Sequence, residues 1–158
     1  MTALRWRDQP VPPGPAVLFD IDGVLADAAG RQHFLTGRRK DWDAFFAASV
    51  DDPLIEETAT LLRLLDPELA VVLLTARPTT VLEGTVDWLG RFEVRWDLLA
   101  MRPASDRRPS AVVKQEALAE IRALGLEVRL AFEDDLRNAE MFRAAGIPTV
   151  YIHSGYYA

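Results

Sequence analysis

The stretch 16–26 places two carboxylates at the end of an uninterrupted apolar run. Four apolar residues lead directly into Asp20, and Asp22 and Gly23 follow. Such a run, bounded by a turn signal, is typical of a fully buried strand. Residues two apart on a strand point to the same side, so we expect Asp20 and Asp22 to face one site. Their charge is costly there unless a cation such as Mg²⁺ offsets it. The alternative is a strand followed by an ordinary Asp-Gly turn.

The composition indicates one ordinary domain and limits the classes of partner. The chain has 158 residues, of which 49% are hydrophobic, enough to bury a core. It contains no cysteine, which excludes disulfides and thiolate metal sites and agrees with a cytoplasmic location. We see no signal peptide and no apolar run of membrane-spanning length, so we expect no membrane partner. The net charge of −6 argues against a basic nucleic-acid footprint over the whole domain, but permits a local basic patch.

Strands alternate with helices, which predicts an α/β fold with a central parallel sheet of about five strands flanked by helices. We expect a proline-rich, extended lead-in over 1–15, with Trp6 packing back on the body, and a single domain over 16–158. The predicted strands are 16–20, 70–74, 98–101, 128–132 and 149–153. Asp52 and Ser110 are predicted helix N-caps, and Asp135 is more readily a cap than a site residue.

The long connection 26–53 is expected to form a loop and then a short helix near 41–48. Three aromatic residues lie there at helical spacing, and we interpret them as packing residues rather than as a platform for stacking bases. They are Trp42, Phe45 and Phe46.

Polar side chains follow the ends of three predicted strands. In an open α/β sheet ligands bind outside the carboxyl ends of the strands, so we expect these groups to meet at one site. Lys114 lies near the start of a predicted helix, where a positive charge is unfavourable, and this indicates an anion close by. The residues that follow the strands are Asp20 and Asp22, then Thr75 and Arg77, then Glu133, Asp134 and Asp135.

These segments resemble the four signature motifs of the haloacid dehalogenase (HAD) superfamily, whose members are mostly Mg²⁺-dependent phosphatases. The resemblance covers nearly the whole chain from Ala16 and implies a Rossmann-like core. The connections 26–53 and 77–107 leave no room for a large cap domain. Val24 stands where the superfamily often has Thr. The matching motifs are Asp20-x-Asp22-Gly-Val-Leu, Leu74-Thr75-Ala-Arg77, Lys114 and Glu133-Asp134-Asp135.

A closer likeness is to the 3′-phosphatase domain of phage-type polynucleotide kinase/phosphatases. Ser110 and Ala111 depart from it, because those phosphatases carry acidic residues just before Val-Val-Lys. The nucleotide-binding P-loop pattern is absent from the sequence, so only the phosphatase half is represented. The likeness rests on Arg31, nine residues after Asp22, and on Lys40-Asp-Trp42, Met101-Arg102, Asp106-Arg-Arg108, Val112-Val-Lys114 and Glu140-Met141.

The resemblance implies a role for each motif residue. Asp20 would be the nucleophile that forms an aspartyl-phosphate, and Asp22 would protonate the leaving oxygen and then activate water. Thr75 would hydrogen-bond a phosphoryl oxygen, while Lys114 would balance the charge of Asp20 and the phosphate. Mg²⁺ would be held by Asp20, the backbone carbonyl of Asp22 and Asp134, with Glu133 as a weaker ligand candidate. The substrate-binding candidates are Arg31 and Arg77, which could equally be surface residues, and Arg102, Arg107 and Arg108.

The expected function is therefore hydrolysis of a phosphomonoester, with polynucleotide 3′-phosphate ends favoured as the substrate. The local basic character of residues 101–116 supports this substrate. One alternative is a HAD phosphatase of a nucleotide or another small phosphomonoester. A less favoured alternative is a noncatalytic phospho-receiver module, because receivers place their acceptor Asp after a later strand.

Overall fold

The structure is a computed structural model that describes residues 1–157. Its strands are β1 (Ala3–Trp6), β2 (Gly14–Phe19), β3 (Ala70–Pro78), β4 (Leu98–Arg102), β5 (Leu126–Glu133) and β6 (Thr149–Tyr151). Its α-helices are α1 (Trp42–Ala47), α2 (Glu56–Leu64), α3 (Leu82–Arg91), α4 (Ser110–Ala123) and α5 (Leu136–Ala144). Short 3-10 helices cover Ala29–Leu35, Ala48–Asp51 and Thr79–Val81.

Six strands form one sheet in the order β1-β4-β3-β2-β5-β6. The five strands from β2 to β6 pair in parallel, which confirms the predicted parallel α/β core. The sixth strand was missed, because β1 lies within the expected lead-in and pairs antiparallel with β4. Trp6, at the end of β1, packs against the core as expected. The four residues of β1, which precede the prolines, are therefore enough to complete one edge of the sheet.

Helices cover both faces of the sheet, and strand alternation decides which side chain faces which layer. On β2, Val17 and Phe19 belong to the same buried cluster as Trp88 of α3. Leu18, between them, belongs to the opposite cluster, which includes Phe142 of α5. Continuous apolar strands are expected where a parallel sheet is covered on both faces.

The helix boundaries correct two of the predicted caps and confirm a third. Asp52 does not begin α2, which starts at Glu56 after Ile55. Ser110 is the first residue of α4 rather than its N-cap, which is Pro109. The Asp135 carboxylate accepts a hydrogen bond from the Arg137 amide and caps α5.

The strand order brings the carboxyl ends of β3, β2 and β5 together at the centre of the sheet. The connection that follows β2 folds over this edge through the first two 3-10 segments and α1, and it forms no large cap domain. Within residues 1–157 no helix combines the length and the apolarity needed to cross a membrane.

Candidate active site

Three carboxylates and one ammonium group meet at the carboxyl ends of β2 and β5. Asp20, Glu133 and Asp134 each place an oxygen within 4.8 Å of the other two. Lys114 reaches in from α4, with its Nζ 3.1 Å from Asp20 Oδ1 and 2.8 Å from Glu133 Oε2. All four residues are buried. The predicted convergence of strands β2 and β5 with Lys114 is therefore present in the structure.

Burial and the neighbouring charges together shift the pKa values of the residues in this cluster. Burial raises the pKa of Asp20 well above its usual range, and the neighbouring Glu133 raises it further. Burial likewise raises the pKa of Asp134 to about 7. Burial opposes the charge of Lys114 too, but Asp20 and Glu133 outweigh it and raise the pKa of that ammonium. Lys114 is therefore held as a cation. Its single positive charge does not balance the three carboxylates of the cluster when they are ionised.

The donor set fits a hard divalent cation. When ionised, the three carboxylates exceed the single ammonium by two negative charges. Asp134 Oδ1 is buried and has no hydrogen-bond partner among the described residues, although buried carboxylate oxygens are normally paired. Oxygen ligands from a small number of carboxylates are what Mg²⁺ uses in proteins.

Gly23 is required for the close approach of the turn to Asp134. Its φ of +81° is in the region that favours glycine, and a Cβ there would lie 2.1 Å from Asp134 Oδ2. The Asp-x-Asp-Gly segment therefore needs its glycine for the space beside the carboxylate cluster as well as for the turn.

The Asp22 carboxylate is not part of this cluster and accepts hydrogen bonds from two arginines. Arg77 Nε and Nη2 lie 3.1 and 2.6 Å from Asp22 Oδ1, and Arg31 Nη2 lies 2.5 Å from the same oxygen. Burial would raise the pKa of Asp22, but Arg77 and Arg31 together lower it to about 2. In this arrangement Asp22 is an oriented carboxylate.

Asp52 completes this ion network, and the sequence analysis missed it. Its carboxylate accepts hydrogen bonds from Arg31 Nε at 2.9 Å and Nη2 at 2.8 Å. It also lies 3.5 Å from Arg77 Nη2. The Asp-Pro pair at 52–53 predicts a helix start, and no local signal distinguishes that prediction from a buried ion pair.

Arg31 and Arg77 are not surface residues, which removes one of the two alternatives left open for them. Their side chains are 2% and 0% exposed, respectively. The remaining Arg31 Nη1 donates to the Phe45 carbonyl, and Arg77 Nη1 donates to Thr85. Arg77 lines the cavity described below, whereas Arg31 does not. Direct contact of either with substrate stays a prediction.

Thr75 lies at the strand end as expected and is fully buried. Its Oγ1 accepts a hydrogen bond from the Arg77 amide at 3.1 Å. This bond fixes the hydroxyl oxygen and holds the backbone that carries Arg77 toward Asp22. A contact from Thr75 to a phosphoryl oxygen stays a prediction.

The three arginines of the loop 102–108 line one cavity but differ in their partners. Arg102 donates to the Ala76 carbonyl and to two carbonyls of its own loop. Arg108 pairs with Asp106 and with Glu116 of α4. None of the ion pairs among residues 1–157 involves Arg107. Arg107 is therefore the member of the loop best able to meet a ligand phosphate.

The cavity has a volume of about 840 Å³ and contains the proposed nucleophile in its wall. Its lining includes Asp20, Asp22 and Lys114 as well as the loop arginines. On the opposite side it reaches Trp42 and Phe46 of α1. This volume is in the range of small-molecule and cofactor sites.

The C-terminal segment 154–157 also belongs to the site, although the sequence indicated only a tail. Ser154 Oγ donates to Asp134 Oδ2 at 2.8 Å. Tyr156 donates its hydroxyl to Asp27 at 3.0 Å and accepts from the Ala28 amide, so it ties this segment to the loop after β2. Tyr157 lines the cavity. Residue types alone gave no signal for these contacts, which depend on β6 ending beside β5.

Solved structures of similar fold include several phosphatases. A chain of the Pnkp1/Rnl/Hen1 complex superposes with a TM-score of 0.76 at 24% identity over 97% of this chain and 50% of that one. The present chain therefore spans about half of that protein. The class C acid phosphatase of Bacillus anthracis gives a TM-score of 0.66 at 14% identity, over 93% and 69% of the two chains.

A HAD family enzyme of Bacteroides thetaiotaomicron, solved with magnesium and inorganic phosphate, gives a TM-score of 0.52 at 13% identity. The superposition covers 90% of this chain and 96% of that one. These likenesses establish the fold. No curated protein matches the sequence.

The decisive match is at the level of family. The model of the polynucleotide kinase PNKP phosphatase domain matches residues 14–157, a span that includes every member of the carboxylate cluster and the ion network around Asp22. The protein is therefore a phosphatase of the HAD superfamily that belongs to the family of the polynucleotide kinase PNKP phosphatase domain.

Proposed function

We propose that this phosphatase is Mg²⁺-dependent and removes 3′-phosphates from polynucleotide ends through an aspartyl-phosphate on Asp20. The observation that carries the proposal is the position of Asp20 at the end of β2, in the cavity wall and 3.1 Å from Lys114. Nucleophile and counter-charge are thus fixed by two different elements of one rigid core. Phosphoryl transfer depends mainly on such positioning and charge neutralisation.

In the first step an Asp20 oxygen attacks phosphorus, and the bond from phosphorus to the 3′-oxygen breaks. The leaving oxygen takes a proton from Asp22, which must therefore be protonated when substrate is bound, although Arg77 and Arg31 favour its ionised form in the free protein. In the second step water attacks the phosphorus of the aspartyl-phosphate, Asp22 takes a proton from that water, and inorganic phosphate leaves with the Asp20 carboxylate restored. A covalent intermediate divides one difficult displacement into two easier ones.

Four groups support these steps in the proposal. Lys114 offsets charge on Asp20 and on the phosphoryl oxygens, and Thr75 donates its hydroxyl to one of them. Arg31 and Arg77 orient Asp22 toward the leaving oxygen. Mg²⁺, held by Asp20, Asp134 and the Asp22 carbonyl with Glu133 adjacent, would neutralise charge on the phosphoryl group when bound.

The cavity lining supports a nucleic-acid end as substrate. Seven cationic and five acidic side chains line it, whereas the whole chain carries a net charge of −6. Positive charge is therefore concentrated at the site, as expected for a substrate with several phosphates. Arg102, Arg107 and Arg108 are the proposed contacts on this side. The family match and a cytoplasmic location, which stays a prediction, agree with such a substrate.

A phosphate-release panel tests the proposal. It compares 3′-phosphorylated DNA and RNA, 5′-phosphorylated DNA, mononucleotides and sugar phosphates, each with wild type and Asp20→Asn. We expect multiple turnover, highest kcat/KM on the 3′-phosphorylated oligonucleotides, and no turnover by Asp20→Asn that has been checked for deamidation. Preference for mononucleotides would support the small-phosphomonoester alternative, and phosphorylation without turnover would support a receiver.

A further inference from the structure

The active-site cavity continues into a second depression beyond α1. This second space has a volume of about 340 Å³, and four of its lining residues also line the main cavity. The shared residues are Lys40, Trp42, Asp43 and Arg107, and Arg39 and Asp41 line only the outer space. The two spaces therefore adjoin at these four side chains, with Asp20 in the wall of the larger space and Trp42 in the walls of both, and we call them together the groove.

Trp42 is a fixed aromatic ring that remains exposed at this junction. It stacks on Phe46 with 5.9 Å between ring centroids and 25° between planes, and it meets the edge of Phe45 at 5.8 Å. Asp41 caps α1 by accepting from the Ala44 amide at 3.0 Å, which fixes the backbone that carries the ring. Yet 43% of Trp42 is exposed, whereas Phe45 is 7% exposed. Trp42 therefore packs on both phenylalanines, as expected, and still leaves part of its ring accessible.

Cationic side chains surround the exposed ring. Lys40 Nζ lies 5.8 Å from the centre of the Trp42 ring. Arg39, Lys40 and Arg107 line the outer space with two acids, of which Asp41 is occupied as the helix cap. An exposed aromatic ring within a positively charged groove is the combination with which proteins bind single-stranded nucleic acid.

We propose that Trp42 is the stacking platform for a base near the 3′ end of a single-stranded substrate, with Arg39, Lys40 and Arg107 facing its backbone phosphates. This inference rests on the proposed function, because it requires the reacting phosphate to sit at Asp20. A base bound at the junction of the two spaces would direct the strand away from the nucleophile along the outer depression. Trp42 would then be what distinguishes an oligonucleotide end from a small phosphomonoester.

The primary test compares the ratio of kcat/KM for a 3′-phosphorylated oligonucleotide to that for phenyl phosphate. Loss of one stacked base corresponds to about 5-fold to 150-fold weaker binding. Trp42→Ala should lower the ratio by that factor, and Trp42→Phe should restore most of it. Leu64→Ala, which trims a 78% exposed apolar residue remote from the groove lining, should leave the ratio unchanged. An equal loss on both substrates would overturn the assignment, because it would show that Trp42 serves only the fold.

Substrates with one abasic nucleotide locate the stacked base. If Trp42 stacks on the base of one nucleotide, removing that base and removing Trp42 delete the same interaction. Their effects on kcat/KM should therefore not add at that position. We expect this non-additivity at one of the three terminal nucleotides and additive effects elsewhere. Additivity at every position would overturn the stacking proposal even if Trp42→Ala lowers the kcat/KM ratio.

Binding measured without turnover separates this inference from the proposed function. Asp20→Asn and the double variant Asp20→Asn with Trp42→Ala are titrated with a fluorescent single strand, and anisotropy is recorded. Trp42-dependent binding of a 3′-phosphorylated strand that wild type does not hydrolyse would refute the proposed function but support the groove as a binding site for single strands. Hydrolysis of 3′-phosphorylated strands with no dependence on Trp42 would keep the function and refute the inference.

Discussion

At the scale of single residues, the orientation of Asp22 depends on Asp52. No local sequence pattern connects these two residues. Arg31 bridges the Asp22 and Asp52 carboxylates, with one nitrogen within hydrogen-bonding distance of both. Asp52 is 5% exposed, and it lies 30 positions along the chain from Asp22. A carboxylate that far away becomes a neighbour only when the connection after β2 has folded, so the sequence could not reveal it.

Asp52→Ala should destabilise the fold and weaken catalysis together. Breaking a buried ion pair by removing one partner costs about 3–5 kcal/mol, because the other charge is left without compensation. Urea unfolding should show this loss, and kcat should fall because Arg31 loses one of its two carboxylate partners. Asp8→Ala, which removes an exposed carboxylate, is the control for stability. Wild-type stability of Asp52→Ala would contradict the role given to this network.

Ser154→Ala should weaken metal binding without removing a ligand. Ser154 donates to Asp134 Oδ2, and groups that orient metal ligands typically contribute about 10-fold to 100-fold in metal affinity. The Mg²⁺ concentration for half-maximal activity should therefore rise, with kcat at saturating Mg²⁺ nearly restored. Ser49→Ala is the matched control, because that buried hydroxyl has no partner among the described residues. An unchanged Mg²⁺ requirement would show that Asp134 needs no such support.

At the scale of elements, long apolar runs and helix stops placed the parallel core correctly. Each of the five predicted strands overlaps an observed parallel strand, because a sheet covered on both faces demands continuous apolar residues. The edge strand β1 escaped prediction because only four residues pair and prolines follow closely. The cap predictions failed at Asp52 and Ser110 because tertiary ion pairing and a preceding proline determine those helix starts. Local signals cannot weigh such contacts.

The same distinction applies to the site. Residues at strand ends were found because topology places strand ends together, and Lys114 was found because its charge is unfavourable near a helix start. The contacts of Ser154 and Tyr156 were missed because they depend on how the last segment crosses the loop after β2. Sequence therefore predicted the chemistry of the cluster better than the residues that hold it in place.

In the loop 102–108, Arg107 is suited to contact a substrate phosphate, whereas Arg108 is suited to hold the loop itself. Arg107→Ala should raise KM for an oligonucleotide and reduce the salt slope of binding by about 0.7, the value for one phosphate on a single strand. Arg108→Ala should instead loosen the loop, since Arg108 joins Asp106 to Glu116 of α4. Titrations over a range of salt concentrations measure both slopes. Equal changes in slope for the two variants would show that the ion pairs of Arg108 give way to substrate.

At the scale of the whole molecule, the carboxylate cluster brings together elements that are far apart in the sequence. Asp20 follows β2, Glu133 ends β5, and Lys114 comes from α4, so these three elements converge on the carboxylate cluster. A cation bound there would hold together strands from the centre of the sheet. Metal binding should therefore be visible in global stability as well as in activity.

Mg²⁺ should raise the thermal stability of the protein, and chelation should abolish turnover. A ligand that binds only the folded state stabilises it by about 2.7 kcal/mol at one hundred times its Kd. For a chain of this size that corresponds to a shift in Tm of roughly 5–10 °C. Differential scanning calorimetry with Mg²⁺ and with chelator measures the shift, and phosphate release measures turnover in the same samples.

Two neighbouring substitutions show whether the cluster is responsible. Asp134→Asn should abolish most of the Mg²⁺-dependent shift in Tm, because it removes a carboxylate whose Oδ1 has no protein partner in the described chain. Asp135→Asn makes the same chemical change one position later, at a residue that caps α5. Since Asn also caps helices well, this variant should keep the shift. A full shift in Asp134→Asn, or full activity after verified metal removal, would place the cation elsewhere or exclude it from the mechanism.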